Sequence, residues 1–225
     1  MTPRPSDRDA RPMRERMLAG DLYIADDPEI SEQLRAAQDL MAAYNATSSR
    51  QRPLRRRLIA ELLGSVGEGT EIRPPLYVDY GYQITIGARC FANYGLVALD
   101  VARITIGDDV QIGPNVQLLT PTHPVEPEPR REKWEAAKPI TVGDNVWLGG
   151  GVIVLPGVTI GENTVVGAGA VVTGHLPANA VAVGNPARVV RLLTEAETAT
   201  EIEAETETET ETETETERSA SRDLR

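Results

Sequence analysis

The stretch that decides the fold is "VGDNVWLGGGVIVLPGVTIGENTVVGAGAVV", residues 142–172. Every sixth residue in it is aliphatic. A period of six is neither that of an α-helix nor that of a simple strand. It is typical of a β-helix, in which short flat segments form the three sides of a triangular coil and send one aliphatic side chain inward. These sixth positions are Val142, Leu148, Val154, Ile160, Val166 and Val172.

The same rhythm extends upstream. Ile106, Ile112 and Leu118 keep the six-residue step, and Ile86 begins an earlier unit. A second small or aliphatic residue follows most of these positions four residues later, as Val146 and Val152 do. Between them lie polar pairs that tolerate a positive φ and therefore predict the corners. Those pairs are Asp108-Asp109, Pro114-Asn115, Asp144-Asn145 and Glu162-Asn163.

The composition agrees with a core of aliphatic side chains and tight turns. Aromatic residues make up 4 % of the 225 residues, and Gly and Pro are plentiful. The single cysteine, Cys90, falls on a fourth position, which predicts core packing, and it excludes an internal disulfide. No apolar leader and no run of about 18 apolar residues is present. We therefore expect a cytoplasmic protein without a membrane partner.

The net charge of −11 is concentrated at one end of the chain. Residues 194–225 hold eleven Glu, one Asp and three Arg, a net charge of −9, which leaves −2 for residues 1–193. No clustered basic face indicates nucleic-acid binding. The Glu/Thr repeat of 194–225 cannot bury enough apolar surface to order itself, which predicts a disordered tail, and residues 1–12 predict a flexible leader.

Residues 13–66 have helical periodicity. One apolar stripe recurs at steps of three and four residues, and a second begins after Pro53 and ends before Gly64. Proline suits the first turn of a helix and glycine the residue beyond its end. We expect this region to cap one end of a β-helix that spans 67–193. The first stripe is Ile30, Leu34, Ala37, Leu40, Met41 and Tyr44.

The six-residue rhythm stops over 119–141, an irregular loop that displays His123 between two proline-rich segments, "LLTPTHPVEPEP". Long loops in compact domains are usually functional. An imidazole with an ordinary pKa near ~6.5 can remove a proton from a weakly acidic group at neutral pH. This makes His123 the first candidate for catalysis. The other histidine, His175, is expected in an exposed turn.

Several segments resemble the maltose and galactoside O-acetyltransferase family. They are "MLAGDLYIADDPEI", "DYGYQITIGARCFANYGLVALD", "LLTPTHPVEPEPR", residues 139–173 and "VGNPARVVRLL", and the resemblance covers roughly residues 13–193. It implies a left-handed parallel β-helix, a homotrimer with its sites at subunit interfaces, and acetyl transfer from acetyl-CoA to a sugar hydroxyl. It implies no metal. The helical region would close over the acceptor.

The resemblance also assigns roles to residues. It implies that His123 is the general base, that Asn93 makes polar contacts with the reacting groups, and that the backbone amide of Gly150 stabilises the developing oxyanion beside the coenzyme. It implies sugar contacts for Asp27, Asp79 and Asp100, although each could equally be a turn residue. The residues implied to line the coenzyme A channel are Trp147, Ala168, Thr173, Arg188 and Arg191.

Two positions depart from the family pattern. Leu34 stands where relatives commonly have an arginine, and Gly174-His175 stand where relatives often have Lys-Asp. The identity of the sugar and one contact to coenzyme A are therefore open.

Three alternatives remain beside sugar acetylation. The acceptor could be a non-sugar or a nucleotide-linked amino sugar. A metalloenzyme similar to γ-type carbonic anhydrases would need three histidines around zinc, and this chain has two. A scaffold without activity is the third, and the intact "THP" and "FAN" triplets argue against it.

Overall fold

The computed structural model describes residues 9–198, so most of the predicted leader 1–12 and tail 194–225 lies outside the described residues. One compact unit ends at Val190, and a second begins at Arg191. The helices of the first unit are α1 (Met13–Ala19), α2 (Pro28–Asn45), α3 (Arg52–Leu62) and α4 (Pro127–Arg131). The strands before the interruption are β1 (Tyr23–Ile24), β2 (Ser65–Val66), β3 (Glu71–Ile72), β4 (Leu76–Val78), β5 (Ile84–Ile86), β6 (Phe91–Ala92), β7 (Leu96–Leu99), β8 (Ile104–Ile106), β9 (Gln111–Ile112) and β10 (Gln117–Leu119). The later strands are β11 (Pro121–Thr122), β12 (Trp134–Ala137), β13 (Ile140–Val142), β14 (Trp147–Leu148), β15 (Ile153–Val154), β16 (Thr159–Ile160), β17 (Val165–Val166), β18 (Val171–Val172), β19 (Ala180–Val183) and β20 (Arg188–Leu192).

The short strands form the three sides of a β-helix. Side 1 has the strand order β2-β5-β8-β13-β16, side 2 has β3-β6-β9-β14-β17-β19, and side 3 has β4-β7-β10-β15-β18. All pairs within the sides are parallel and in register, as when Leu148 pairs with both Ile112 and Val166. The predicted fold class, mostly β with coils of short parallel strands, is confirmed. The first side begins at Ser65, two residues before the predicted boundary.

The core follows the predicted pattern. The sixth positions from Val142 to Val172 are all buried, and so is Cys90. Burying one such aliphatic side chain contributes roughly 1.5–3 kcal/mol to folding. The one polar residue at a fourth position, Thr164, satisfies its buried hydroxyl by donating to the carbonyl of Pro177 at 2.7 Å.

The predicted corners are also where the backbone takes a positive φ. Asp109, Asn115, Asn145 and Asn163 have φ between 52° and 58°. Asn and Asp adopt this left-handed conformation more readily than other non-glycine residues. The polar pairs therefore fix where one side of the coil ends and the next begins.

The N-terminal helices close the first coil. The Tyr44 hydroxyl on α2 donates to the carbonyl of Ile72 at 2.5 Å. The side-chain amide of Asn45 donates to the carbonyl of Leu76 and accepts from the N–H of Leu76, both at 2.8 Å. α3 starts with proline in its first turn, as predicted, and buries Leu58, Ile59 and Leu62. Exposed backbone groups at the end of the β-helix thus gain partners.

The interruption is more ordered than the irregular loop that the sequence predicts. It leaves the β-helix at Thr120 and returns at Lys138, whose N–H donates to the Thr120 carbonyl at 3.0 Å. Between these ends lie β11, α4 and β12. Strand β1 from the helical region pairs with β12, giving an antiparallel sheet with the order β1-β12-β11, which we call the small sheet. This contact between the two regions is absent from the sequence prediction.

Candidate active site

His123 follows directly after β11, at the edge of the small sheet. Its side chain is 55 % exposed. The ring nitrogen Nδ1 lies 3.3 Å from the carbonyl oxygen of Trp134 on the neighbouring strand. A neutral imidazole that donates from Nδ1 to this carbonyl keeps the lone pair on Nε2. The geometry therefore suits Nε2 to accept a proton from a substrate.

A carboxylate that the sequence analysis missed lies beside this nitrogen. Glu135 Oε2 is 3.8 Å from His123 Nε2, and the Glu135 side chain is only 15 % exposed. When Nε2 takes up a proton, the imidazolium gains a negative neighbour within ion-pair distance. The only sequence signal was a lone glutamate in the otherwise weakly polar segment "WEAAKPI", just before the coils resume.

Asp79 and Asp100 lie where side 3 turns into side 1, the edge from which the interruption also departs. Burial raises the pKa of Asp79 to about 6, and the negative charges of Asp100 and Glu135 add to the effect. Asp79 is thus close enough to Glu135 for the two carboxylates to repel each other. A carboxyl group with this pKa is partly protonated near neutral pH and can donate as well as accept hydrogen bonds.

Asp100 differs from the expected sugar contact, because its carboxylate is fully buried. Oδ1 accepts from the N–H groups of Asp79 at 3.1 Å and Tyr80 at 2.8 Å, and Oδ2 accepts from the N–H of Gln83 at 3.2 Å. Burial raises its pKa, and backbone donors that include those of Tyr80 and Gln83 oppose that rise. Asp100 therefore organises the turn that holds Asp79.

Asp27 also has a structural partner. It is the N-cap of α2, and its Oδ1 accepts from the N–H groups of Glu29 at 2.9 Å and Ile30 at 3.3 Å. This is the usual role of aspartate at such a position. Leu34, the departure on the same helix, packs against a cluster that contains Tyr23 and Tyr80.

A second group of predicted residues lines a different edge, where side 2 turns into side 3. Asn93 donates its N–H to the carbonyl of Ile112, and Gly169 N–H donates to the carbonyl of Gly150, both at 2.9 Å. Ala168 lies on the same corner, exposed. None of the backbone hydrogen bonds found within residues 9–198 uses the N–H of Gly150. This amide is free to donate to a ligand.

Three of the remaining predicted residues, Trp147, Thr173 and Arg188, lie on the outside of the β-helix. Trp147 is 56 % exposed on side 2. Thr173 is exposed directly after β18. Arg188 is exposed and donates to the carbonyl of Ala187 at 2.9 Å. In the second unit, Arg191 forms an ion pair with Glu197 at 2.8 Å.

The predicted site residues therefore form two groups on two edges of one chain. One group contains His123, Asp79 and the unpredicted Glu135, and the other contains Asn93 and Gly150. Over residues 9–198, no hydrogen bond or ion pair connects the two groups.

Two features are absent from the part of the chain that the structure describes. No group of three or more His, Cys, Asp or Glu side chains within residues 9–198 is placed to hold a metal ion. In the same part of the chain no helix is both long enough and apolar enough to span a membrane.

Two family models match the chain. Residues 16–67 match the maltose acetyltransferase hexapeptide capping motif. Residues 139–174 match the bacterial transferase hexapeptide model of six repeats. The first covers the helical region and the start of the β-helix, and the second covers the coils that follow the interruption.

Known proteins resemble the chain over most of its length. It is 50 % identical to nodulation protein L of Rhizobium meliloti over 179 residues, which are 80 % of this chain and 98 % of that protein. A crystal structure of a maltose O-acetyltransferase from Clostridium difficile superposes with a TM-score of 0.81 at 42 % identity, covering 83 % of this chain and 100 % of that one. A galactoside acetyltransferase in complex with coenzyme A gives a TM-score of 0.80 at 41 % identity, covering 83 % and 93 %.

Proposed function

This chain belongs to the family of acetyl-CoA-dependent maltose and galactoside O-acetyltransferases, and we propose that its acceptor is a sugar hydroxyl that His123 deprotonates. The observation that carries the proposal is the exposed imidazole on the small sheet. Its Nδ1 faces a backbone carbonyl at 3.3 Å, and its Nε2 faces a carboxylate at 3.8 Å.

Acetyl-CoA supplies an activated thioester. In the proposed reaction Nε2 of His123 takes the proton from the acceptor hydroxyl as its oxygen bonds to the thioester carbon. The same Nε2 then returns a proton to the departing sulfur, so the imidazole ends neutral. Glu135 stabilises the imidazolium in between. Proton transfer to a positioned histidine contributes on the order of 10²–10⁴-fold to such rates.

The backbone amide of Gly150 suits the negative charge that develops on the carbonyl oxygen. A free N–H in a fixed position needs no reorganisation during the reaction, and donors of this kind commonly supply the larger part of the stabilisation. Asn93, on the same edge, carries a side-chain amide that can also donate. Its Oδ1 is occupied by the N–H of Tyr94 at 2.9 Å, which leaves Nδ2 for the reacting groups.

The sugar contacts are assigned to Asp79 and Asp27. Asp79 can accept from or donate to a hydroxyl, since its carboxyl group gains a proton near pH 6. Asp27 uses one oxygen for the helix cap and keeps the other. Asp100 acts behind Asp79 by fixing its turn.

The coenzyme is assigned to the second edge and its neighbours. The corner residues Gly150 and Ala168 are small, so a ligand can approach the backbone closely. Trp147 offers an exposed aromatic face. Thr173 is exposed and adds a hydroxyl, and Arg188 carries a guanidinium group that suits the phosphates of coenzyme A.

A homotrimer fits this arrangement. The base lies on one edge of the β-helix and the oxyanion donor on another, without a direct connection between them within residues 9–198. A site between two adjacent chains would bring the first edge of one chain to the second edge of its neighbour.

The test compares His123→Ala with His175→Ala. His175 is exposed, and its Nδ1 accepts from the N–H of Thr159 at 3.0 Å, so it is a matched histidine outside the proposed site. Thiol release from acetyl-CoA is measured with glucose, maltose, methyl β-galactoside, serine and an amino sugar as acceptors. We expect His123→Ala to lose at least about 10²-fold in kcat while it keeps the trimer in sedimentation and binds acetyl-CoA.

His175→Ala is expected to keep its activity. Near-normal turnover by His123→Ala would refute the role of the base. Preference for serine over every sugar would refute the acceptor class and leave the role of the base intact.

A further inference from the structure

Tyr23 lies opposite Glu135 in the small sheet. The antiparallel register pairs Tyr23 with Glu135, and Ile24 with Trp134. Directly opposed residues of an antiparallel pair have Cβ atoms about 4.5–5.5 Å apart and project to the same face. The three strands of the small sheet therefore bring Tyr23, Glu135 and His123 next to one another in this order.

The Tyr23 side chain is fully buried. Its ring packs in a cluster with Met17, Ile30 and Tyr80. Its hydroxyl has no hydrogen-bond partner of good geometry among residues 9–198, which is costly for a buried polar group. Burial raises the pKa of this hydroxyl, and the nearby Glu135 carboxylate raises it further. The phenol is therefore a protonated donor with one candidate acceptor.

Glu135 needs such a donor. The carboxylate of Asp79 is close enough to Glu135 for the two negative charges to repel each other, and Asp100 adds a further negative charge beside Asp79. Tyr80 lies on the same side with its hydroxyl protonated, because burial raises its pKa. The nearby cation Lys133 pairs with Asp26 at 2.9 Å instead. Within residues 9–198, His123 is the one ion-pair partner of Glu135.

We propose that Tyr23 is a positioning residue, whose hydroxyl holds the carboxylate of Glu135 in place beside His123. The inference rests on the proposed role of His123 as base. A free glutamate side chain loses rotamer entropy when it is held in one conformation. A hydroxyl donor on the opposite strand holds the Glu135 side chain in place before the imidazolium forms. The donor itself is held by the fully buried ring of Tyr23.

The experiment is a double-mutant cycle of Tyr23→Phe, Glu135→Gln and the double variant, with acetyl-CoA and the best sugar acceptor of the panel. Tyr23→Phe removes one oxygen and keeps the buried ring. We expect each single change to lower kcat by on the order of tenfold, with the KM for acetyl-CoA unchanged. We expect the double variant to be no slower than Glu135→Gln, because Tyr23 acts through Glu135.

Tyr44→Phe is the matched control. It also removes a buried hydroxyl, which donates to the carbonyl of Ile72 at 2.5 Å. We expect it to lower the unfolding midpoint and leave kcat unchanged. The thermal midpoint of Tyr23→Phe shows whether the fold is retained. Comparing the effect of Tyr23→Phe in the wild type and in Glu135→Gln measures the coupling between the two residues independently of any loss of stability.

Two results would overturn the inference. One is a double variant whose loss is the product of the two single losses, which is what a purely structural role predicts. The other is a folded Tyr23→Phe enzyme with wild-type kcat. If His123→Ala also kept its turnover, the proposed function itself would be wrong. An inactive His123→Ala beside an unaffected Tyr23→Phe would remove only the positioning role.

Discussion

Asp79 leads to a prediction about stability and pH. Burial and the neighbouring carboxylates raise its pKa from 3.8 to about 6 in the folded protein. The folded state therefore binds the Asp79 proton more tightly than the unfolded state. Where the unfolded state binds fewer protons, the free energy of unfolding falls as the pH rises. The cost of the Asp79 charge is absent below the unfolded pKa, grows between there and about pH 6, and is complete above that pH.

The size of the effect follows from the shift. A difference of about two pKa units corresponds to about 3 kcal/mol at 1.36 kcal/mol per unit. This is an upper value because the side chain is partly exposed. Because part of the cost is already present at pH 4.5, the change between pH 4.5 and 7.5 is about 2 kcal/mol. Asp79→Asn keeps the shape of the side chain and removes the charge.

The assay is urea unfolding of the wild type and Asp79→Asn at fixed protein concentration, followed by the fluorescence of Trp134 and Trp147. We expect the variant to gain up to about 2 kcal/mol on the wild type as the pH rises from 4.5 to 7.5. A difference that stays constant, or that falls with rising pH, would refute the assignment of the charge cost to Asp79.

Asp109→Asn is a control for which the expected change of stability with pH has the opposite sign. Arg89 binds the Asp109 carboxylate and lowers its pKa, so this ion pair stabilises the fold above the unfolded pKa and is lost as the pH falls. Asn tolerates the positive φ of 58° at this corner, so the turn is kept. The wild type is therefore expected to lose its advantage over Asp109→Asn towards low pH.

Two further predictions concern the β-helix. Leu148→Ala removes a fully buried side chain of side 2 and is expected to lower the free energy of unfolding by about 2–5 kcal/mol, measured by urea unfolding. Gly143→Ala would place a Cβ atom 2.7 Å from the backbone nitrogen of Glu162 in the next coil, and we expect a lower thermal midpoint; Gly174→Ala, which meets no atom within 4 Å, is the control and should leave the midpoint unchanged.

The β-helix could be predicted because its rule is local and repeated. Each coil has the same spacing of inward-facing residues. The repeated spacing from Val142 to Val172 is therefore enough to identify the inward positions. The corner at Asn145 could be read in the same way from its residue type. The predicted start of the β-helix at residue 67 lies two residues after Ser65, because Ser65 and Val66 join side 1 without continuing the aliphatic spacing.

The small sheet could not be predicted for the opposite reason. Tyr23 and Glu135 are far apart in the sequence, and β1 has two residues, too few to show a period. What pairs them is the position of the helical region on the β-helix, which is a tertiary property. For a related reason the sequence left Asp100 open between a sugar contact and a turn residue. An aspartate whose buried carboxylate binds a turn and an aspartate whose exposed carboxylate binds a sugar cannot be distinguished by residue type alone.

The register of the coils explains how the chain can hold the proposed base on an insertion. Ile104 pairs with Ile140 and Ile106 with Val142, so the coils before and after the interruption stack as if it were absent. Its ends are held together by the 3.0 Å hydrogen bond between Thr120 and Lys138. The inserted residues must therefore be ordered by contacts of their own. A hairpin of β11 and β12 alone would be only marginally stable.

The third strand, β1, supplies the missing support. It adds a hydrogen-bonded neighbour to β12 and brings the buried ring of Tyr23 against the same face as Glu135. The helical region therefore does more than cover the end of the β-helix. By completing the small sheet, it helps to determine where the imidazole of His123 stands, so a change that detaches β1 acts on the proposed base without touching it.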